Sequence, residues 1–139
     1  MRGVPTDPKR AHAEKRLRDE KIAWLTTVRR DGQPQSSPVW FLWRDGEIVL
    51  YSRPTTQKVR NVRANPRVAV HLRDVDDGSG IVSIEGEATI DEGYPSAAAI
   101  PAYVGKYDAM IADLRMDPAS FAKSYSVPIR VRPTRMRIA

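Results

Sequence analysis

The chain contains 139 residues, of which 41% are hydrophobic and 29% are charged, values typical of a soluble globular protein of one domain. It contains no cysteine, which excludes disulfide bonds, thiolate metal sites and a cysteine nucleophile. The longest apolar run, 38–43, is far shorter than the roughly 20 residues that cross a bilayer, and the first ten residues lack the apolar segment of a secretory signal. We therefore expect one cytoplasmic domain over residues 1–139, without membrane association.

The charge is unevenly distributed. The 23 basic and 17 acidic residues give a net charge of +6. Two segments, 48–73 and 127–139, carry basic residues and no acid. Such segments favour an anionic partner, which could be nucleic acid, a phosphorylated cofactor or a lipid surface. The alternative is a solvated surface whose acids are distant in sequence and close in space.

The first part of the chain predicts a helix followed by strands. Residues 1–21 form a polar helix in this prediction, with Asp7 as the N-cap and Pro8 in the first turn. Three strand-like runs separated by two Asp-Gly turns follow, over 22–28, 35–43 and 47–52. We expect these runs to form an antiparallel meander.

The rest of the chain alternates between helical and strand patterns. A helix is predicted over 55–65, with Thr55 as the N-cap. Strands over 67–73 and 81–90 are joined by a turn at 74–80, and Gly86 marks a bulge or a close approach. Helices between 95 and 124 and a closing strand from 127 complete the order. Six antiparallel strands with a few helices predict a mainly β protein, a small barrel with peripheral helices.

The strongest local signal lies in residues 53–66, where a strand ends and a helix begins. Unpaired backbone N–H groups and the helix dipole make such a start a natural anion site. Thr55 and Thr56 add hydroxyl donors, and Arg53 can reach the same place. Lys58 in the first turn opposes the dipole, so its presence calls for a compensating anion. The alternative is a basic helix with a good cap and no ligand.

The sequence contains no motif that indicates a metal site or a catalytic nucleophile. The two histidines, His12 and His71, have no spacing that links them to carboxylates. Asp74, Asp76 and Asp77 share one turn but lack the calcium-loop pattern, so we expect a solvated turn. We predict no metal site, and we identify no catalytic group for hydrolysis.

Three segments together resemble one family. Residues 51–70, YSRPTTQKVRNVRANPRVAV, look like the phosphate-binding strand–helix–strand unit of the pyridoxamine-phosphate-oxidase-like split β-barrel flavoproteins. Residues 31–41, DGQPQSSPVWF, resemble the strand that lies along the ring of the cofactor in that family, and residues 81–91, IVSIEGEATID, resemble a further strand. The short chain and the PVWF run look most like the branch that uses coenzyme F-420, an 8-hydroxy-5-deazaflavin.

The resemblance implies an FMN-binding-type split β-barrel that is a homodimer with two cofactor sites at its interface. Residues 22–91 would supply the cofactor-binding strands and the phosphate helix, and residues 92–139 the helices and the closing strand. Arg53, Thr56 and Lys58 would hold the phosphate, although some members carry an arginine at the position of Thr56. The remaining implied site residues lie along the ring, near the ribityl chain or behind the phosphate helix: Ser37, Pro38, Val39 and Trp40 along the ring, Ser52 near the ribityl chain, and Asn61 supporting the helix.

The implied function is transfer of a hydride from reduced coenzyme F-420 to a small electron-poor organic acceptor. A proton could come from solvent or from Tyr103, Tyr107 or Tyr125. The negatively charged tail of coenzyme F-420 would suit basic groups around Arg60 and Arg63, or the C-terminal arginines.

Two alternatives remain. One is an FMN-dependent oxidase or reductase of the same fold. The other is a basic non-enzymatic module that binds a cofactor or nucleic acid, which requires exposed aromatics beside a basic groove. We disfavour nucleic acid because the tryptophans lie in strong strands, where core packing is the commoner fate.

Overall fold

The computed structural model describes residues 7–74 and 80–139. Seven antiparallel strands form one sheet in this part of the chain, with four helices around it. The strands are β1 Ala23–Val28, β2 Pro34–Val39, β3 Leu42–Arg44, β4 Glu47–Ser52, β5 Arg67–His71, β6 Val82–Ile90 and β7 Val127–Ile138. The helices are α1 Pro8–Asp19, α2 Gln57–Ala64, α3 Pro101–Asp113 and α4 Pro118–Ser124, and a short 3-10 turn covers Ala97–Ala99. None of the helices described is long and apolar enough to cross a membrane.

The predicted antiparallel pairing of consecutive runs is confirmed, but the single strand over 35–43 is wrong, because that run is broken at Trp40 and Phe41. β1 pairs with β2 and β3 pairs with β4, yet β2 and β3 lie at opposite edges of the strand order β2-β1-β5-β6-β7-β4-β3. The backbone of Phe41 bonds to helix α3: its N–H donates to the Tyr107 hydroxyl at 2.8 Å, and its carbonyl accepts from Lys106 Nζ at 2.9 Å. The described chain therefore has seven strands, where six were predicted.

The same break shows that the sheet is curled. A flat sheet of seven strands at about 4.8 Å spacing would separate its edges by roughly 29 Å. Only Trp40 and Phe41 join the end of β2 to the start of β3, and three Cα steps span at most about 11 Å. The edges must therefore approach each other at this end, which gives the half-barrel of a split-barrel fold with peripheral helices.

The bulge expected at Gly86 is confirmed. The pairing of β6 with β7 shifts register between Glu85 and Gly86. A Cβ at Gly86 would lie 2.6 Å from the Arg132 carbonyl oxygen and 2.9 Å from Val131 Cγ1. β7 continues beyond the predicted closing segment to Ile138, and it pairs with both β6 and β4.

Two hydrophobic clusters are separated by β4. The inward side chains Ile48 and Leu50 belong to the cluster inside the half-barrel. Val49 and Tyr51, on the opposite face, belong to a second cluster made with α3 and α4. Because β4 is buried on both faces, its sequence is a nearly continuous apolar run. Trp24 departs from the expected core packing, since it is 39% exposed on β1.

The helix starts follow the capping chemistry with one correction. Asp7 caps α1 by accepting from the backbone N–H of Lys9 at 3.0 Å. The N-cap of α2 is Thr56, whereas Thr55 was predicted. The difference arises because Thr55 belongs to the turn at 54–55 that precedes the helix. The predicted turn at 74–80 lies largely outside the described residues. The Arg16 guanidinium donates to the carbonyl oxygens of Arg73 and Gly80, on the two sides of it.

Candidate functional site

A pocket of about 380 Å³ opens where β2 and β4 end and α2 begins, with α3 and α4 forming its far wall. Its position follows from the barrel, because the β2–β3 crossover and the end of β4 meet here. Seven of the nine predicted site residues line it: Pro38, Val39, Trp40, Ser52, Arg53, Thr56 and Lys58. The other lining residues are Tyr51, Tyr103, Leu114, Phe121 and Tyr125.

One end of the pocket is polar and is built from the turn between β4 and α2. The hydroxyl groups of Ser52 and Thr56 lie 2.7 Å apart, and Ser52 Oγ donates to the Arg53 carbonyl oxygen at 2.9 Å. No side chain caps α2, so the backbone N–H groups of its first turn have no such acceptor among the described residues. The helix dipole adds partial positive charge at this point.

Two cations complete the polar end, and neither forms an ion pair with a carboxylate within residues 7–74 and 80–139. Burial lowers the pKa of Lys58 below its ordinary value, because a desolvated ammonium group is less stable than a solvated one. The Arg53 guanidinium carbon lies 4.9 Å from the ring centroid of Tyr125. A desolvated cation without a counterion, beside a helix N-terminus, is suited to binding an anion.

The other end of the pocket is aromatic. Trp40 stacks on Tyr107 with ring centroids 5.0 Å apart and on Phe121 at 5.4 Å. Phe121 stacks in turn on Tyr125 at 4.4 Å, and Tyr103 meets Tyr51 edge to face at 5.2 Å. The pocket therefore offers cations and hydroxyl groups at one end and ring surfaces at the other, which fits a ligand with an anionic group and a planar ring.

Two predicted site residues lie outside the lining of this pocket. Ser37 is half-buried on β2, one residue before the lining residue Pro38. Asn61 is buried on α2, and its amide nitrogen donates to Thr27 Oγ1 at 2.9 Å and to Gln35 Oε1 at 3.0 Å. Asn61 thus ties α2 to β1 and β2, so its contacts are those of a residue that supports the helix.

A second, basic pocket of about 640 Å³ lies between α2 and the β1–β2 turn. It is lined by Arg29, Arg30, Asp31, Gln35, Gln57, Arg60, Asn61, Arg63 and Ala64. Arg29 pairs with Asp31, and Arg60 donates to the Thr55 carbonyl oxygen at 2.7 Å. Arg30 has no carboxylate partner within the part of the chain that is described. Arg63 lies 3.9 Å from Glu92, so the four arginines of this pocket face two acids, and the pocket remains cationic.

Sequence reasoning missed Tyr51, Leu114 and Phe121 as pocket residues. Tyr51 directly precedes the predicted site residue Ser52 in β4. Because β4 is buried on both faces, its sequence does not alternate between apolar and polar residues, and the face that borders the pocket cannot be recognised. Leu114 and Phe121 come from a helical segment that carries no recognisable motif. Tyr103 and Tyr107 lie one turn apart on α3, a spacing that predicts a shared face and does not distinguish their roles.

The fold is that of a split barrel, and comparison with known proteins assigns the family. Residues 10–138 match the family model described as pyridoxamine 5'-phosphate oxidase. The chain belongs to this family, whose members are oxidoreductases that bind flavin-type cofactors and are generally dimeric. No curated protein matches the chain.

Solved structures support the same assignment. A structure described as an F420 reductase is 30% identical, with a TM-score of 0.69, and the match covers 96% of this chain and 98% of that one. The conserved hypothetical protein Rv2991 from Mycobacterium tuberculosis is 28% identical, with a TM-score of 0.71 and coverage of 96% and 84%. A putative pyridoxamine 5'-phosphate oxidase from Listeria innocua is 23% identical, with a TM-score of 0.66 and coverage of 92% and 95%, and this likeness indicates the fold alone.

Proposed function

We propose that the protein is a reductase that uses coenzyme F-420, bound in the pocket between β2, β4 and α2. The observation that carries the proposal is that one pocket combines an aromatic wall with two cations, Arg53 and Lys58, that form no ion pair among the described residues. When bound, the deazaflavin would supply the hydride for a small electron-poor organic acceptor, so the protein needs only to bind, orient and exclude water.

In this proposal the polar end holds the cofactor phosphate. Lys58 and Arg53 supply charge, Thr56 and the first N–H groups of α2 supply donors, and Ser52 lies beside the ribityl chain. Asn61 supports the helix from behind through its bonds to Thr27 and Gln35. Ser37, Pro38, Val39 and Trp40 lie along the ring. These roles extend the resemblance residue by residue.

The basic pocket favours coenzyme F-420 over FMN. FMN ends in a phosphate, which the polar end alone can hold, whereas coenzyme F-420 carries a negatively charged tail beyond its phosphodiester. Gln57 and Lys58 are adjacent on α2. Gln57 lines the basic pocket, and Lys58 lines the pocket with the aromatic wall, which we call the aromatic pocket. We infer that a tail leaving the phosphate along α2 reaches this pocket, where Arg30 and Arg60 have no carboxylate partner among the described residues and Arg63 lies 3.9 Å from Glu92. The 30% identical F420 reductase supports the same preference, and an FMN-dependent enzyme is the alternative.

The proposed assembly is a homodimer whose interface completes the cofactor sites. β2 is an edge strand, with one side unpaired in the described chain. Trp24 on β1 lies opposite the pocket residue Pro38 and is 39% exposed. An edge strand and an exposed tryptophan beside the pocket are suited to covering by a second copy.

Replacement of Lys58 tests the phosphate assignment. Lys58→Met keeps most of the aliphatic stem and removes the charge, so it should weaken binding of coenzyme F-420 and of FMN by about 1.5–3 kcal/mol. The matched control is Lys123→Met, on the exposed face of α4 and outside both pockets. Titration followed by fluorescence gives the two affinities, and urea unfolding gives the stability.

The expected pattern is a loss of affinity in Lys58→Met alone, with unfolding free energy unchanged or slightly higher because a half-buried charge is removed. If affinity is unchanged while stability collapses, Lys58 is structural and the phosphate assignment is wrong.

A further inference from the structure

Tyr103 is the most deeply buried aromatic side chain that lines the aromatic pocket. It lies on α3, retains 1% of its surface and lines the pocket with Trp40 and Lys58. Its ring is fixed by three neighbours: Tyr107 at 4.9 Å, Tyr51 at 5.2 Å and Phe121 at 6.1 Å between centroids. A ring held on three sides in this way has a single orientation.

The hydroxyl group of Tyr103 has no hydrogen-bond partner among the residues described. The other two tyrosines packed around it are both bonded: Tyr51 donates to the Pro95 carbonyl oxygen at 2.7 Å, and Tyr107 donates to the Lys21 carbonyl oxygen at 2.7 Å. In the described chain, Glu20 Oε1 is the one fully buried side-chain oxygen or nitrogen that lacks a hydrogen-bond partner, and it lies 3.7 Å from Arg73 Nε. The Tyr103 hydroxyl is not among the fully buried unbonded atoms, so it retains some exposure, and the pocket is the cavity that Tyr103 lines.

The surroundings of this hydroxyl keep it protonated. Burial raises the pKa of Tyr103 well above its ordinary value, and the neighbouring Tyr107 and Tyr51 raise it further. A phenol that stays protonated keeps its O–H available as a hydrogen-bond donor. A ligand acceptor atom in the pocket would give this donor the hydrogen bond that no described residue supplies.

We propose that the Tyr103 hydroxyl donates a hydrogen bond to an oxygen or nitrogen acceptor on the planar ring of the bound cofactor. This inference rests on the proposed function, because it assumes that the ring occupies the aromatic end of the pocket. It assigns Tyr103 to ring recognition and separates it from Tyr107, whose hydroxyl is bonded within the protein. The ligand class that it selects is a planar ring with an acceptor at its edge.

Two tyrosine-to-phenylalanine variants on the same helix test the inference. Tyr103→Phe removes a hydroxyl that no described residue bonds, so thermal and urea stability should match the wild type while the affinity for coenzyme F-420 falls about tenfold. Tyr107→Phe removes a hydroxyl bonded to Phe41 and Lys21, so its stability should fall. Affinities are measured by titration with coenzyme F-420, and with FMN as a second probe.

The outcomes separate the inference from the function on which it rests. If the wild type binds coenzyme F-420 and Tyr103→Phe binds it within twofold, the inference is overturned and the proposed function stands. A fall in the stability of Tyr103→Phe comparable to that of Tyr107→Phe also overturns it, since the hydroxyl would then have a protein partner. If neither the wild type nor Lys58→Met binds coenzyme F-420 or FMN, both proposals fail.

Discussion

At a single residue, Gly86, the pairing of β6 with β7 leaves no room for a side chain. Gly86 combines a register shift with a carbonyl oxygen 2.6 Å from the position of a Cβ atom. The neighbour is backbone, which cannot rotate away as a flexible side chain could. The sequence marked Gly86 as a bulge or close approach from its place inside a strand, and that prediction is confirmed.

We predict that Gly86→Ala destabilises the fold by about 1–3 kcal/mol, the usual cost of overpacking a closely packed site. Gly105→Ala is the matched control, because Gly105 lies within α3 and a Cβ there meets nothing within 4 Å. That variant should stabilise the protein by about 0.5–1 kcal/mol, since alanine is the better helix former. Urea unfolding measures both, and equal effects in the two variants would contradict the packing explanation.

Residue chemistry alone predicts the polar half of the pocket and not the aromatic half. Lys58 and Arg53 are recognisable because a basic helix start after a strand has a physical meaning in one short segment. Tyr103, Leu114 and Phe121 come from helices far along the chain, and their arrival at the pocket depends on how α3 and α4 pack against β4. Local periodicity holds no information on that packing.

Among the elements, the crossover between β2 and β3 depends most on distant contacts. Phe41 lies between β2 and β3 and belongs to neither strand. Its backbone N–H and carbonyl group are hydrogen-bonded to Tyr107 and Lys106 of α3. The partners of Phe41 lie more than 60 residues away in sequence, which is why the alternating pattern over 35–43 predicted one strand. Helix α3 therefore fixes both the edge of the half-barrel and the position of Trp40.

The charge of Lys106 makes this contact sensitive to pH. Burial, assisted by the nearby Lys21, lowers the pKa of Lys106 from its ordinary 10.5 to about 8. Between these values the unfolded chain binds one more proton than the folded chain at this group, so stability increases as pH rises through this window. Burial also raises the pKa of Tyr103, Tyr107 and Tyr51, which favours the unfolded chain above about pH 10.

We predict that the unfolding free energy increases from pH 7.5 to 9.5 and declines above pH 10. In Lys106→Met the increase should be smaller than in the wild type. In Lys9→Met, where the replaced side chain is exposed on α1, it should be retained. Urea unfolding at a series of pH values checks this, and a rise of the same size in Lys106→Met would show that another group is responsible.

Across the whole molecule, the two basic segments without acids, 48–73 and 127–139, differ in how their charges are paired. In the C-terminal segment, Arg130 pairs with Glu47 at 2.8 Å and Asp91 at 3.0 Å, and Arg132 pairs with Glu87 at 2.8 Å. Acids from other strands thus balance charges that look isolated in sequence. In the first segment Arg63 lies 3.9 Å from Glu92 and Arg73 lies 3.7 Å from Glu20. Arg53 and Lys58, which line the pocket, form no ion pair in the described chain, so their charge is left where an anionic ligand would bind.

The measurement that tests the central claim most directly is a side-by-side titration of the purified protein with coenzyme F-420, FMN and a short DNA duplex. Tryptophan fluorescence is a suitable signal, because Trp40 lines the pocket. We predict micromolar or tighter binding of coenzyme F-420 and weaker binding of FMN. Preference for FMN would contradict the deazaflavin assignment, and binding of DNA alone, with an affinity that falls steeply with salt, would contradict the proposed function altogether.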